Sequence, residues 1–275
     1  MLGKLIKHEF RATARYMWPI MGGMLLLALL VRFVANPVLT HADNFILNTL
    51  GVIIVMLFTV GCMALGLAPL CVSGCEFKRS ILGSEGYLTM SLPVSSRQHI
   101  NAKLITNAVW YALTGVLMVL ILLVMVGDKG TLPGLSSGFT DAFDKTKLSA
   151  EDAQAVGHLI LACIEGFIDL IAGASLLTVA VYAAYAIGYS ANRRKELWTV
   201  LLIYLFFHVV VWVGLGSLFI IGRSDMKFAV DALNNVSVMK AFEGFLGLGF
   251  LIMVALGAVF YHITDHFITK KLNLV

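Results

Sequence analysis

The chain has 275 residues, of which 59% are hydrophobic and only 13% are charged, and its mean hydropathy is +0.90. A soluble domain carries about 25% charged residues, so this composition excludes an ordinary soluble protein and indicates an integral membrane protein. The apolar runs are continuous rather than alternating, which excludes a β-barrel, and the net charge of +4 gives no indication of nucleic-acid binding.

The first predicted element is a basic amphipathic helix over residues 1–15. Its apolar face consists of Leu2, Leu5, Ile6 and Phe10. Basic residues occupy the opposite face, as in helices that lie in the inner interface of a membrane. We expect this interfacial helix to lead directly into the first span. The opening is too long and too charged for a cleavable signal peptide.

Six segments are long and apolar enough to cross a hydrocarbon core of about 30 Å. They cover approximately residues 16–35, 47–71, 104–126, 170–189, 197–221 and 245–263. Spanning segments with continuous hydrophobicity are helices, because every backbone polar group must find its partner within the segment. The sequence therefore predicts an all-α fold, a polytopic membrane protein with six transmembrane helices in a single domain over 1–275.

The distribution of Lys and Arg predicts the orientation. When the six spans alternate across the membrane, 13 basic residues fall on the side of the N-terminus and 7 on the other. Cytoplasmic loops carry the excess of basic residues. Both termini are therefore predicted to be cytoplasmic in the cell membrane.

The segment 76–103, between the second and third spans, is then cytoplasmic, and it contains the polar stretch GSEGYLTMSLPVSS. Ser84 can cap a short helix, and Glu85 in its first turn suits the helix dipole. Pro93 ends that helix, and Ser95 opens a capping box for the next one.

This short cytoplasmic helix exposes apolar side chains. They are Tyr87, Leu88, Met90 and Leu92. Such a surface requires cover, either from lipid headgroups or from a groove on another protein.

The segment 127–152 is predicted to be an extracellular loop, with a helix starting after Ser149 and continuing without a breaker to about residue 192. Glu165 and Asp169 share one face of that helix and lie near the outer boundary of the fourth span. They are interpreted either as solvated or locally paired carboxylates, or as an acidic lining at the exit of a route for cationic cargo.

Catalytic motifs are lacking in the sequence. No G-x-x-x-x-G-K-[ST] phosphate loop and no H-E-x-x-H occurs. His262 and His266 in HITDH have helical i, i+4 spacing, but no third metal ligand is evident. We therefore expect that the chain is not an enzyme and that it binds neither a metal nor a cofactor.

The two cytoplasmic segments carry a resemblance to a known family. MLGKLIKHEFRATARYMWPI at the start and FKRSILGSEGYLTMSLPVSSRQHINAKL after the second span resemble the permease subunits of type 2 ABC exporters of Gram-positive bacteria. The resemblance implies that the first segment is an elbow helix and the second a coupling helix that docks on an ATPase subunit. It places five residues at that contact: Glu85, Gly86, Tyr87, Leu88 and Pro93.

The same resemblance implies the partners: two ABC ATPase subunits that hold ATP and Mg²⁺, and a second permease, identical or paralogous. The 127–152 segment is longer than in many members of the family. Two other functions stay open, a gradient-driven secondary transporter and a non-transporting membrane sensor or assembly protein. Against the secondary transporter, the two halves of the chain show no repeat, and the acids lie away from the membrane centre.

Overall fold

The structure, a computed structural model, describes residues 2–35, 45–83, 86, 94–126, 150–190 and 236–270. Within these ranges every regular element is helical and no strand is present, which confirms the all-α prediction. The helices are α1 (Leu2–Leu30), α2 (Phe45–Phe77), α3 (Ser96–Val126), α4 (Ala150–Ser190) and α5 (Val236–Lys270). A π-helical turn extends α1 over Val31–Ala35, and another extends α2 over Lys78–Leu82.

Five helices in the described part of the chain are long and apolar enough to cross a membrane. They coincide with the first, second, third, fourth and sixth predicted spans. The predicted fifth span, over about 197–221, lies outside the described residues. The fold class is thus confirmed as all-α with five helices suited to a bilayer.

Helix α1 and its π-helical extension form one continuous element of 34 residues, Leu2–Ala35. At 1.5 Å per residue this element is about 51 Å long, well beyond a hydrocarbon core of about 30 Å. The helix passes through Pro19 without ending. Residues 2–15 are therefore helical and continuous with the first candidate span, and their role as an interfacial elbow stays a prediction.

The surface of the described residues is more apolar than that of a water-soluble protein. Large apolar side chains point outward, among them Phe33, Met63, Leu122, Phe245 and Leu251. Several polar side chains are buried instead, including His99, Lys103, Asn107, Thr178 and Thr264. Outward apolar surfaces of this extent match a lipid environment, because water would penalise their exposure.

The chain divides into two compact units. The first comprises Met1–Phe77 with Gln98–Ser136, and the second comprises Lys78–Arg97 with Ser137–Val275. Whether they form the single transmembrane domain predicted from the sequence stays a prediction.

The core of the first unit joins one face each of α1, α2 and α3. Its buried residues are Met17, Met21, Met24, Ala28, Leu65, Ala68, Trp110, Leu117 and Ile121. The α1 members recur at the i, i+4, i+7 spacing of a single helix face. Helices α1 and α2 approach closely at Gly61, where a Cβ atom would lie 2.8 Å from the sulfur of Met24.

The second unit is built on the packing of α5 against α4. Gly173 brings the two helices together, since a Cβ atom there would lie 3.3 Å from the sulfur of Met253. Farther along α4, small residues at four-residue spacing, Ala180, Ala184 and Gly188, are buried. The π-helical turn Lys78–Leu82 also contacts α4.

Candidate coupling surface

The predicted coupling segment lies between the end of α2 and the start of α3. Four of its five predicted contact residues, Glu85, Tyr87, Leu88 and Pro93, lie outside the described residues. Gly86 is described and is helical. What the structure gives is therefore the geometry of Gly86 and of the two ends between which the segment runs.

The first end is a tight backbone turn that requires glycine. The N–H of Gly86 donates to the carbonyl oxygen of Gly83 at 3.0 Å. A Cβ atom on Gly83 would lie 2.7 Å from the carbonyl oxygen of Arg79, and one on Gly86 would collide with the carbonyl oxygen of Ile81. Ile81 is fully buried. Since the obstacle in both cases is backbone, no side-chain movement could relieve the clash.

The second end is held by an acidic residue from the last helix. Helix α3 begins at Ser96, directly after the predicted cap residue Ser95. The Ser96 hydroxyl donates to Asp265 Oδ1 at 3.2 Å, and Arg97 Nε donates to Asp265 Oδ2 at 2.9 Å. We call these three residues, Ser96, Arg97 and Asp265, the Asp265 latch.

The strength of the latch comes from burial of its acid. The Arg97 side chain is 66% exposed, whereas that of Asp265 is 11% exposed. An ion pair with one solvated partner contributes about 1 kcal/mol or less. Leaving the Asp265 carboxylate without its donors would cost more, because a buried acceptor then loses its hydrogen bonds without regaining water.

A second polar arrangement lies inside the first unit. Lys103 Nζ donates to both carboxylate oxygens of Glu9, at 2.9 and 2.8 Å, and the Lys103 side chain is only 3% exposed. Beside this ion pair, Trp110 Nε1 donates to the Thr13 hydroxyl at 2.8 Å. The Trp110 ring also stacks on Phe10, with ring centroids 4.6 Å apart.

These contacts tie the amphipathic start of α1 to α3. The basic residues Lys4, Lys7, His8 and Arg11 remain exposed, as the amphipathic pattern predicts. The adjoining cavity measures about 10 Å³, the size of a single water probe. The cluster therefore holds helices together and offers no room for a substrate.

The predicted outer residues Glu165 and Asp169 lie in α4, near the start of the apolar segment Ile164–Ser190. Both are half-buried. Glu165 Oε2 is buried and has no hydrogen-bond partner among the described residues. The two acids thus share one stretch of helix, as predicted, and their role in translocation stays a prediction.

The histidine pair His262 and His266 is exposed on α5. Asp265, between them, is engaged with Arg97 and Ser96. Among the described residues no cluster of three His, Cys, Asp or Glu side chains could hold a metal ion.

Sequence reasoning missed both Asp265 and the Glu9–Lys103 ion pair. HITDH was considered only for its histidines. Glu9 offered a signal, since it falls on the same helix face as Leu5 and Ile6, where an unpartnered carboxylate would be costly. Its partner, Lys103, is 94 residues away and cannot be found from local spacing.

Comparison of the chain with protein-family models, with curated proteins and with solved structures finds no match.

Proposed function

We propose that the chain is the transmembrane permease subunit of an ATP-driven exporter, similar to the type 2 ABC exporters that the two cytoplasmic segments resemble. The observation that carries the proposal is the geometry at the two ends of the connection between α2 and α3. The connection starts in a backbone turn that only glycine fits and ends in the Asp265 latch. A short segment anchored at both ends is suited to transmit a displacement to the helices on either side.

In the proposed mechanism, residues 84–93 form a coupling helix that fits a groove of a separate ATPase subunit. ATP and Mg²⁺ bind to that partner, and this chain carries no catalytic residue. When ATP binding changes the shape of the partner, the coupling helix moves with it. ATP thereby favours one of two states of the exporter, because the ATPase subunit binds ATP more tightly in that state.

The proposal includes six spans, both termini in the cytoplasm and an interfacial elbow at residues 1–15. The length of α1 supports this arrangement, because a 34-residue helix has room for a span and an interfacial extension. Two permeases, identical or paralogous, and two ATPase subunits would make up the exporter.

A co-purification experiment tests the proposal. We expect Tyr87→Asp/Leu88→Asp to release the ATPase subunit, because charged side chains cannot enter an apolar groove without a partner. The full chain is isolated from its native membrane in mild detergent, and the proteins that accompany it are identified and quantified.

The matched control is Leu272→Asp/Val275→Asp, two apolar-to-acid changes in the C-terminal segment, which is also predicted to be cytoplasmic. This variant should retain the ATPase subunit. If the Tyr87→Asp/Leu88→Asp variant keeps its full complement of partner, the coupling assignment is wrong.

The cargo route is tested separately. If Glu165 and Asp169 line the exit for a cationic substrate, Glu165→Gln/Asp169→Asn should slow ATP-dependent export in membrane vesicles. Unchanged export would contradict this role and favour the interpretation of both acids as solvated or locally paired carboxylates. Transport driven by an ion gradient without ATP would support the secondary transporter instead.

A further inference from the structure

Residues at the C-terminal end of α5 and in the first turn of α3 line an open cleft of about 750 Å³ in the second unit. This volume lies within the range of about 300–1,000 Å³ typical of small-molecule sites. The cleft includes the Asp265 latch and none of the five residues predicted to contact the ATPase subunit. Its lining residues are Ser95, Ser96, Arg97, His262, Ile263, Asp265, His266, Phe267, Thr269 and Lys270.

The chemistry of this lining favours an anion. Arg97, His262, His266 and Lys270 bring nitrogen donors into one space. The single carboxylate present, Asp265, is already engaged by Ser96 and Arg97. Since the Arg97 contact uses Nε, both terminal nitrogens of its guanidinium face no partner among the described residues.

The backbone adds to this preference. Ser95 and Ser96 stand at the N-terminal end of α3, a helix of 31 residues. The first N–H groups of a helix have no intrahelical acceptor and carry a partial positive charge. Ser95, Ser96 and Arg97, at this end of the helix, line the same cleft as His262, His266 and Lys270, so the partial positive charge lies near the cations.

We propose that this cleft binds a phosphate group. A phosphate offers several acceptor oxygens, which suits a fork of arginine donors together with lysine and histidine. Ile263 and Phe267 provide an apolar wall beside the cations, so the phosphate of an acidic phospholipid headgroup fits the lining better than a free phosphate ion. The proposal does not rest on the exporter function.

The test is a binding titration of the purified full chain in mild detergent. Three probes are added in turn: short-chain phosphatidylglycerol, short-chain phosphatidylcholine and inorganic phosphate. Binding is followed by native mass spectrometry for the lipids and by calorimetry for phosphate. We expect phosphatidylglycerol to bind more tightly than phosphatidylcholine, whose headgroup carries no net charge.

The decisive variant is Lys270→Gln, with Lys240→Gln as its matched control. Both lysines are exposed on α5, at opposite ends of the helix. Lys270→Gln should weaken phosphatidylglycerol binding about fivefold, the contribution of one basic residue near an anionic surface. Lys240→Gln should leave it unchanged. His262→Gln/His266→Gln should also weaken binding and leaves the Asp265 latch intact.

The outcomes distinguish a lipid phosphate from a soluble phosphate as the ligand. Lys270-dependent binding of phosphatidylglycerol alone assigns the site to a lipid, and Lys270-dependent binding of inorganic phosphate assigns it to a soluble phosphate. If no probe binds, or if Lys270→Gln and Lys240→Gln weaken binding equally, the proposal is wrong.

Discussion

Lys103 is a cation with a side chain only 3% exposed, placed in a helix that is otherwise suited to lipid. Its charge is matched by both oxygens of Glu9. Breaking such a pair by removing one partner is strongly destabilising, because the remaining charge stays buried and uncompensated. Replacing both partners with neutral side chains is much less costly.

We therefore expect Lys103→Met to lower the free energy of unfolding by about 3 kcal/mol. The double variant Glu9→Gln/Lys103→Met should recover most of that loss. The measurement is a detergent-to-SDS unfolding titration of the purified chain.

Lys240→Met serves as the control, because Lys240 is exposed and its loss should change stability by less than about 0.5 kcal/mol. Equal stability of the single Lys103→Met variant and the wild type would show that the ion pair contributes nothing.

At the level of the helices, the sequence predicted the position of each described span better than the length of its helix. The start of α3 directly follows Ser95, the residue predicted to cap it, whereas Ser149 lies outside the described residues. Helices α2 and α5 extend well past the predicted spans. Bilayer thickness limits an apolar segment, but a helix continues until a breaker or a cap stops it.

Contacts between distant elements could not be predicted. Arg97 and Asp265 are separated by 168 positions, and hydrophobic periodicity carries no information about which polar groups meet across helices. The sequence located the connection between α2 and α3, and the packing of α5 determines how that connection is held.

The glycine turn before the coupling segment gives a prediction for this element. Gly86→Ala would place a methyl group against the carbonyl oxygen of Ile81, so the turn must open. Backbone strain of this kind costs about 1–3 kcal/mol. We expect the amides of 78–86 to exchange with deuterium about tenfold faster, measured by mass spectrometry of the intact chain.

Gly66→Ala is the matched change. A Cβ atom on Gly66 meets nothing within 4 Å, and alanine in a helix interior is more favourable than glycine by about 0.5–1 kcal/mol. This variant should exchange no faster than wild type. Equal exchange in the Gly86 and Gly66 variants would contradict the tight turn.

For the whole molecule, the outward apolar surface matches a membrane protein, and the bias of basic residues predicts its orientation. The predicted six spans and cytoplasmic termini would place Ser84 in the cytoplasm and Lys145 outside the cell. The test uses Ser84→Cys and Lys145→Cys, each in a background without the four native cysteines. A membrane-impermeant maleimide should label Lys145→Cys in intact cells and Ser84→Cys only after permeabilisation.

Labelling of both positions from the same side would require an even number of spans between them, in place of the single span predicted over about 104–126. If Ser84→Cys is labelled in intact cells and Lys145→Cys only after permeabilisation, the orientation of the chain is the reverse of the predicted one. Residues 84–93 would then be outside the cell, where no cytoplasmic ATPase could bind them.

The pairing of Glu9 with Lys103 also bears on biogenesis. Glu9 leaves the ribosome 94 residues before the lysine that neutralises it. During that interval α1 enters the translocon while the Glu9 carboxylate has no basic partner. Insertion of α1 is then favourable only if Glu9 stays at the aqueous boundary of the membrane. We therefore expect α1 to reach its final position in the membrane only after α3 has been synthesised. In a chain truncated before Lys103, the first helix should be less stably inserted.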